Sequence, residues 1–426
     1  MFLRKYPEHV FLSIALITTI QLGIAFMAGV FSGLLADQNC YDWLNRVVQL
    51  HESRQWFDAT FHRVDPPYGF EQHCTRPLDV LLLAGAWVMS PLTGFEKALH
   101  FWGALISPLL HVFSALFLVW ACCPVFNRRQ LAFLVLAFIF QPAVIGCFLA
   151  GKPDHHSLMT FLFVVSLGFS IRMMHTPPEK KWAWGGGFVS ALAFWVCIEA
   201  GIFIILPIIV LLSVLWFLKE KDIGSALFNY SSSLLLFSAG ALLIQNGWGE
   251  FFRPEVDRIS IIFIFFFFMV TVYAFFVQRY EFNDKIFFRV LFSGAAGIGI
   301  LAVMQAVYPQ IFSGYEVDPL YRTLRLPLIG QVQPIFRLEW PQGAIRFIFW
   351  AGIIMPTFLW FLHSLFTQKW WQALVSRARK DIYVKLSIFV TVCLILSVQY
   401  VISLRFVVYL EILCLLGYVV FMDNII

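Results

Sequence analysis

Side chains that can do chemistry occur at two places in this sequence, each directly beside a long apolar run. The first is Asp37, which follows the apolar run 11–35. The second is the Asp-His-His segment 154–156, at the start of the apolar run 156–174. A carboxylate beside imidazoles is a metal-competent set of ligands, and histidine can also carry protons. The segment could therefore bind a metal ion, although its spacing singles out no particular metal.

Both sites also have a plainer interpretation as helix caps. The segment 41–50 has apolar residues at positions 43, 44, 47 and 48, a spacing that predicts a helix lying on a membrane surface. Asp37 lies where the N-cap of that helix is expected, and taken alone it is better explained as a cap. Asp154, which follows Pro153, is equally suited to cap the next helix, so there both interpretations stay open.

The stretch after Asp37 is dense in aromatic, acidic and basic residues. It contains the segment 56–69, with Arg63, and continues to His73, Arg76 and Asp79. Proline and glycine give it a fixed, non-helical course. Aromatic rings stack on sugars or lipids and arginine pairs with phosphate, so the stretch suits the rim of a substrate site.

Two further charged residues lie close to apolar runs. Glu199 lies between the runs 183–198 and 201–218, where an ionisable group is costly and has a partner or a task. Arg405 lies near the outer end of the last apolar run. It either extends to the membrane interface or neutralises a lipid phosphate, and the sequence does not decide between these roles.

The elements that position these residues are predicted to be membrane helices. Of the 426 residues, 60% are hydrophobic and 13% are charged, which a water-facing surface cannot accommodate. We predict an all-α polytopic membrane protein of about twelve transmembrane helices. The predicted spans are 11–35, 99–122, 131–150, 156–174, 183–198, 201–218, 226–246, 259–278, 286–308, 344–366, 384–402 and 404–422. The shorter run 78–92 is predicted to be interfacial or re-entrant.

Lysine and arginine are concentrated in alternate short loops, which the positive-inside rule assigns to the cytoplasm together with both termini. Residues 1–426 then form one transmembrane domain. Its outward face receives the first external loop, 36–98, with its interfacial helices, and a late external loop, 309–343. The net charge of +5 indicates loop orientation and no nucleic-acid surface.

Two of the eight cysteines, Cys40 and Cys74, fall in the first external loop. In an oxidising compartment they could form a disulfide, although nothing local fixes their separation. The other six lie in or at the ends of apolar runs, as small buried residues do.

Taken together, these segments resemble a known superfamily. The pattern Asp37, Tyr41-Asp42, Trp56-Phe57-Asp58, Arg63, Pro66-Pro67-x-Gly69, His73, Arg76, Asp79 and Asp154-His155-His156 is similar to that of GT-C glycosyltransferases. The catalytic subunit of oligosaccharyltransferase is the particular resemblance, without its large soluble C-terminal domain. The match covers 36–80 and 150–157 well and 316–334 loosely. Cys74 and Gln331 depart from the pattern, Gln331 where an acidic ligand is expected.

The resemblance implies a GT-C-like fold and an inverting transfer of sugar from a polyprenyl-phosphate-linked donor to a glycolipid, glycan or protein on the outer face. It implies Asp37 as the catalytic carboxylate. Asp154 and His156 would hold either the donor phosphate or, together with Asp37, a divalent Mg or Mn ion. For the donor phosphate or substrate it implies a set of seven residues: Arg76, Lys152, Arg405, His73, Arg63, Glu199 and Tyr41. We expect the bacterial inner membrane, with the site facing the periplasm.

Two other functions remain as hypotheses. A multi-span transporter or lipid flippase for envelope glycolipids would place charges near the bilayer midplane and show repeat symmetry. Here the notable charges gather at one surface and the sequence shows no repeat. A non-catalytic assembly subunit would need only the capping roles described above.

Overall fold

The computed structural model of the protein is helical in nearly all the residues it describes. These residues are 7–62, 67, 69–71, 75–174, 178–220, 222–279, 286–313, 341 and 407–423. Several sequence-based predictions lie outside them: the roles of Arg63, His73 and Arg405, the departures at Cys74 and Gln331, most of the loop 309–343, and the spans 344–366 and 384–402.

Fourteen α-helices are present in the described residues, with one turn of 3-10 helix at Val30–Ser32 and one π-helix at Gly201–Ile205. In chain order they are α1 Pro7–Met27, α2 Gln38–Ser53, α3 Arg76–Thr93, α4 Phe95–Cys122, α5 Arg128–Ile139, α6 Pro142–Cys147, α7 His155–Met173, α8 Lys180–Val196, α9 Leu206–Phe217, α10 Ile223–Asn246, α11 Ile261–Arg279, α12 Ile286–Val307, α13 Gln310–Ser313 and α14 Val407–Asp423. A small antiparallel hairpin, β1 Thr60–Phe61 with β2 Phe70–Glu71, lies between α2 and α3.

Five of these helices are long and apolar enough to cross a membrane: α4, α7, α10, α11 and α12. Three shorter apolar segments, Leu12–Met27, Gly201–Phe217 and Val407–Val419, add to them. The protein is thus an all-α membrane protein, as composition predicted. The described residues do not establish twelve spans.

Two predicted spans were wrong in extent because hydropathy does not register backbone breaks. The run 11–35 ends as a helix at Met27, since Gly29 and Gly33 adopt left-handed φ values of 71° and 86°. The run 131–150 divides into α5 and α6 at Pro142, whose ring cannot continue a preceding helix.

The helices pack through close approaches at small residues. Helix α8 packs along α10, which in turn packs on α11, while α4 packs on α7 and α3. At the α8–α10 crossing a Cβ on Gly187 would lie 2.5 Å from the carbonyl oxygen of Tyr230. Only glycine permits this separation, as in tightly crossed membrane helices.

The first external loop is fastened by a buried ion cluster. Asp79 accepts from Arg76 at 3.0 Å and lies 2.8 Å from Arg46, so it joins α3 to α2. The Thr75 hydroxyl donates to the Val196 carbonyl at 3.1 Å at the end of α8. Gln245 of α10 accepts from the Arg76 amide at 3.1 Å. The two helices predicted for this loop, α2 and α3, are both present. Helix α3 is hydrogen-bonded to α8 and α10 of the bundle. The position of α2 and α3 relative to the bilayer stays a prediction.

Candidate functional site

Asp37 caps α2 through one oxygen and leaves the other exposed. Its Oδ1 accepts from the backbone amide and from the thiol of Cys40, each at 3.1 Å. The capping interpretation is therefore confirmed. In the part of the chain that the structure describes, Oδ2 has no protein hydrogen bond. Capping does not consume the carboxylate, so a catalytic role for Asp37 remains compatible with the geometry.

The thiol of Cys40 is free and buried beneath Asp37. Burial, together with the hydrogen bond to Asp37 and the negative charge of that carboxylate, raises the pKa of Cys40 to about 12. The thiol is thus protonated at neutral pH and serves as a second donor to the carboxylate. Cys74, with which Cys40 could form a disulfide, lies outside the described residues, so that possibility stays untested.

The segment before Asp37 is joined directly to the segment before Asp154. The amide of Ala36 donates to the carbonyl of Gly151 at 2.9 Å. Gly151 has a φ of 76°, and a Cβ there would lie 2.9 Å from Cγ2 of Val30. Glycine is required at this contact for two reasons, conformation and space. Two carboxylates 117 positions apart in sequence (154 − 37) are brought to one end of the bundle.

Side chains reinforce this backbone link. The rings of Trp43 and His155 lie 5.8 Å apart, which brings α2 onto the start of α7. The hydroxyl of Tyr41 accepts from the Leu35 amide at 3.0 Å. Tyr41 therefore fixes the chain leading to Asp37, and its predicted contact with substrate stays untested.

Asp154, His155 and His156 form a compact set of potential metal ligands. One ligand atom from each residue lies within 4.8 Å of the others. Nδ1 of His155 is 2.8 Å from Oδ1 of Asp154, yet this buried nitrogen has no hydrogen-bond partner among the described residues. Adjacent ligands in one coordination shell of a divalent ion lie about 3 Å apart, given metal–ligand bonds near 2.1 Å. The 2.8 Å separation of Asp154 and His155 is therefore that of neighbouring ligands on one metal ion.

The charges around Asp154 keep its carboxylate ionised, whereas the two imidazoles could bind a metal only in their neutral form. Burial alone would raise the pKa of Asp154, but the positive charges of His156, His155 and Lys152 outweigh it and hold that pKa below its usual range. Asp154 is consequently ionised at neutral pH and available as a ligand. It also caps α7, accepting from the His156 amide at 3.5 Å, so both of its predicted roles are compatible.

Lys152 and Glu199 lie near this set. The ammonium of Lys152 donates to the Gly146 carbonyl at 3.1 Å and is only half-buried, so it remains reachable by an anion. Glu199 lies in the turn between α8 and the π-helix. Two residues earlier, Cys197 hydrogen-bonds to His155, which places that turn beside the candidate metal ligands.

The burial and hydrogen bonds of Arg76 argue against its predicted role in binding the donor phosphate. Its side chain is 3% exposed, and its donors go to the carbonyls of Trp56 and Asp58 and to the Asp79 carboxylate. Four of its five N–H donors are used in this way and the side chain is buried, so it is poorly placed to bind a phosphate, and removing this arginine would leave Asp79 less compensated. We therefore assign Arg76 to holding the first external loop.

Two features of the site were missed from the sequence. His155, taken there only as part of the Asp-His-His motif, faces Asp154 as a third ligand. Arg46 completes the buried ion cluster, and its signal was present: it lies three residues after Trp43, on the apolar face of α2. A charge on a buried face indicates a buried partner.

Two apolar cavities flank the site. The α1–α4 groove has a volume of about 710 Å³ and reaches Gly33 and Ala150, next to the segments that carry Asp37 and Asp154. The π-helix groove, of about 350 Å³, is lined by the π-helix and the phenylalanines of α11, and reaches Ile198 beside Glu199. The candidate ligands therefore lie between two cavities of the size that binds small molecules or lipid chains.

Comparison with solved structures identifies the architecture. The archaeal oligosaccharyltransferase AglB from Archaeoglobus fulgidus, in complex with an inhibitory peptide and a dolichol-phosphate, superposes with a TM-score of 0.70 at 13% identity. The alignment covers 100% of this chain and 51% of that one. The chain therefore shares the fold of the aligned half of that protein. The resemblance drawn from the sequence motifs is thus confirmed at the level of the fold.

Two further structures of the Archaeoglobus fulgidus oligosaccharyltransferase agree. The apo form gives a TM-score of 0.67 at 15% identity, covering 98% of this chain and 51% of that one. The complex with Zn and sulfate gives 0.58 at 14% identity, covering 98% and 49%. The chain thus spans about half the length of these GT-C proteins. No family model and no curated sequence matches it.

Proposed function

We propose that the protein is a glycosyltransferase that moves a sugar from a polyprenyl-phosphate-linked donor to an acceptor at the outer face of the membrane. One observation carries the proposal: the Ala36–Gly151 hydrogen bond brings the exposed oxygen of Asp37 to the same end of a GT-C fold as the Asp154, His155 and His156 ligand set. A basic or orienting carboxylate beside a cation site is what transfer from a phosphate leaving group needs.

The π-helix groove is the proposed site for the hydrocarbon tail of the donor. Its lining is almost wholly apolar, and its end at Ile198 adjoins Cys197, which contacts His155. A polyprenyl chain lying there would bring its phosphate to the candidate metal ligands. Lys152, Glu199 and Tyr41 surround this end in our proposal, and Arg63, His73 and Arg405 remain proposed phosphate or substrate contacts.

The proposed cofactor is a divalent cation such as Mg or Mn, held by Asp154, His155 and His156. A bound divalent ion neutralises negative charge that develops on a leaving phosphate. Asp37 would orient the acceptor and take its proton through Oδ2, the oxygen that capping leaves exposed. Asp154 stays ionised through the surrounding positive charge, so no proton need leave it before the ion binds.

The proposed location is the bacterial inner membrane, with both termini in the cytoplasm and the site facing the periplasm. The distribution of lysine and arginine supports this orientation. An outward-facing site would meet donor and acceptor after both have crossed the membrane, since each carries a polar head that the bilayer excludes.

The test uses Asp37→Asn and Asp154→Asn in a deletion strain. Asparagine caps helices as well as aspartate does, so these variants remove charge and keep both helix starts. We expect loss of one surface glycan by mass spectrometry of glycolipids and glycoproteins, with normal protein levels. The matched control is Glu52→Gln, an exposed carboxylate at the other end of α2. Unchanged glycans in both aspartate variants would refute the proposal.

A second measurement addresses the cation. The purified protein is titrated with Mn²⁺ and binding is followed by electron paramagnetic resonance. We expect one site that Asp154→Asn weakens by about tenfold or more, since outer- and inner-shell changes at metal sites cost 10- to 100-fold. Equal affinity in wild type and variant would remove the metal from the proposal.

A further inference from the structure

The α1–α4 groove is a second lipid-facing cavity that the donor does not require. On α4 its lining recurs every three or four residues from Lys97 to Val112, which is one face of the helix over about 22 Å. The facing wall comes from α1, between Ile17 and Ala25. The groove therefore runs lengthwise between two antiparallel helices, and its length suits a hydrocarbon chain lying along them.

The groove is open to the bilayer along its side. The lip residues Leu22 and Phe101 are 54% and 53% exposed, and Leu105 is 40% exposed. A chain could enter sideways from the membrane without passing through water. The interior is apolar, so it offers nothing to an extended polar peptide, whose backbone would lose its hydrogen bonds to water.

The outer end of the groove carries positive and hydrogen-bonding groups. Lys97 and His100 both lie in the lining at the end of α4 that adjoins the first external loop. Within the described part of the chain, neither side chain has an ion-pair or hydrogen-bond partner, and Lys97 is exposed. A cation above an apolar groove is complementary to an amphiphile with an anionic head.

The same end of the groove adjoins the candidate site. Gly33 lies four residues before Asp37, and Ala150 lies four residues before Asp154; both line the groove. Ala150 is also fixed, since its amide donates to Gln21 of α1 at 3.0 Å. A head group held at Lys97 would lie beside the two segments that meet at the Ala36–Gly151 hydrogen bond.

We propose that the α1–α4 groove binds the acceptor, and that the acceptor is a membrane lipid with an anionic head group. This inference rests on the proposed function, because it assigns the acceptor class of that transferase. The enzyme would then hold two lipids, one in each groove, with their heads meeting between Asp37 and Asp154. A glycolipid product follows, and a protein acceptor does not.

The test is photolabelling of the full-length protein in phosphatidylcholine nanodiscs. The probe is phosphatidic acid with a diazirine in its acyl chain; phosphatidylcholine with the same chain is the zwitterionic comparison. We expect phosphatidic acid to label α4 between Lys97 and Val112 preferentially. Lys97→Gln should reduce that preference by about tenfold, the loss of one charge-assisted contact. Lys180→Gln, an exposed lysine at the start of α8, is the matched control.

A second variant tests the apolar part of the groove. Leu105→Trp fills it and should abolish labelling of α4, whereas Leu236→Trp, on a lipid-exposed face of α10, should leave it intact. Labelling that is equal for both lipids and unchanged in Leu105→Trp would overturn the proposal. So would complete displacement of the probe by added polyprenyl phosphate, which would make this groove the donor site.

The two proposals fail differently. Neither Asp37 nor Asp154 lines the groove, so photolabelling of the wild-type protein reports on lipid binding, and the glycan profiles of Asp37→Asn and Asp154→Asn report on transfer. If those variants keep all glycans in cells, the transferase function is refuted while labelling still reports on the groove. If instead the deletion strain loses a glycoprotein glycan and retains its glycolipids, the lipid acceptor is refuted and the transferase stands.

Discussion

The buried cluster of Arg46, Asp79 and Arg76 makes a quantitative prediction about the first external loop. The side chains of these residues are 6%, 0% and 3% exposed, and the carboxylate of Asp79 pairs with both guanidinium groups. Asp79→Asn keeps the shape and removes the charge. Leaving buried charges without their partner costs about 3–5 kcal/mol.

The expected result is a large fall in thermal stability. At an unfolding entropy of about 2.1 cal/mol/K per residue, each kcal/mol lowers the Tm of a 426-residue chain by about 1 °C, so we expect a drop of about 3–6 °C. The detergent-solubilised protein can be heated with a thiol-reactive fluorogenic dye, because Cys122 and Cys414 are buried and react only on unfolding.

Glu250→Gln is the control for this prediction. Its pair with Arg253 also spans three residues at 3.0 Å, but the two side chains are 58% and 47% exposed. Such a pair contributes about 1 kcal/mol or less. A Tm for Asp79→Asn within about 2 °C of wild type, or equal to that of Glu250→Gln, would contradict the assigned role of the cluster.

Three further predictions concern close packing and the site. Gly187→Ala should lower the free energy of unfolding by about 1–3 kcal/mol, because its Cβ would lie 2.5 Å from the Tyr230 carbonyl oxygen. Gly240→Ala in α10, where a Cβ would have nothing within 4 Å, should be neutral or stabilising. Thermal unfolding of the two variants checks this prediction. Cys40 should resist maleimide at pH 8, where a thiol of pKa about 12 is ionised to about one part in ten thousand. The rate of Cys40 labelling should increase as pH rises toward 12. At fixed pH it should also increase in Asp37→Asn, which removes a hydrogen bond and a charge that raise the pKa of Cys40. Peptide mapping of modified Cys40 measures both rates, and a rate unaffected by Asp37→Asn would be inconsistent with that contact. Gly151→Ala should fold and yet lose surface glycan. Alanine at a φ of 76° destabilises the folded state by about 1–2 kcal/mol, and its Cβ would push against Val30. A normal glycan profile would show that the proposed transfer does not need this loop geometry.

The sequence predicted the local features of the site well. Apolar spacing after Asp37 predicted the amphipathic helix α2, and the types of Asp37 and Asp154 predicted two N-caps, both observed. These features depend on neighbours within a few residues. The fold resemblance was also accessible, because the motif residues fall at fixed positions relative to the spans.

What depends on distant contacts could not be predicted in the same way. Arg76 was assigned to phosphate because its type suits phosphate; only the structure shows that most of its donors are taken by Trp56, Asp58 and Asp79. The end of α1 at Met27 was missed because Gly29 and Gly33 hardly change the hydropathy of the run. Their left-handed φ values nevertheless end the helix. The Ala36–Gly151 contact joins segments 115 positions apart (151 − 36) and has no local signal.

That contact between Ala36 and Gly151 uses only main-chain atoms. Its strength does not depend on which side chain occupies position 36, and at position 151 only the absence of one matters. The relative position of the segments before Asp37 and before Asp154 therefore does not depend on the side chains around them. Side chains around the two loops can therefore be exchanged one at a time without changing the register between Asp37 and Asp154.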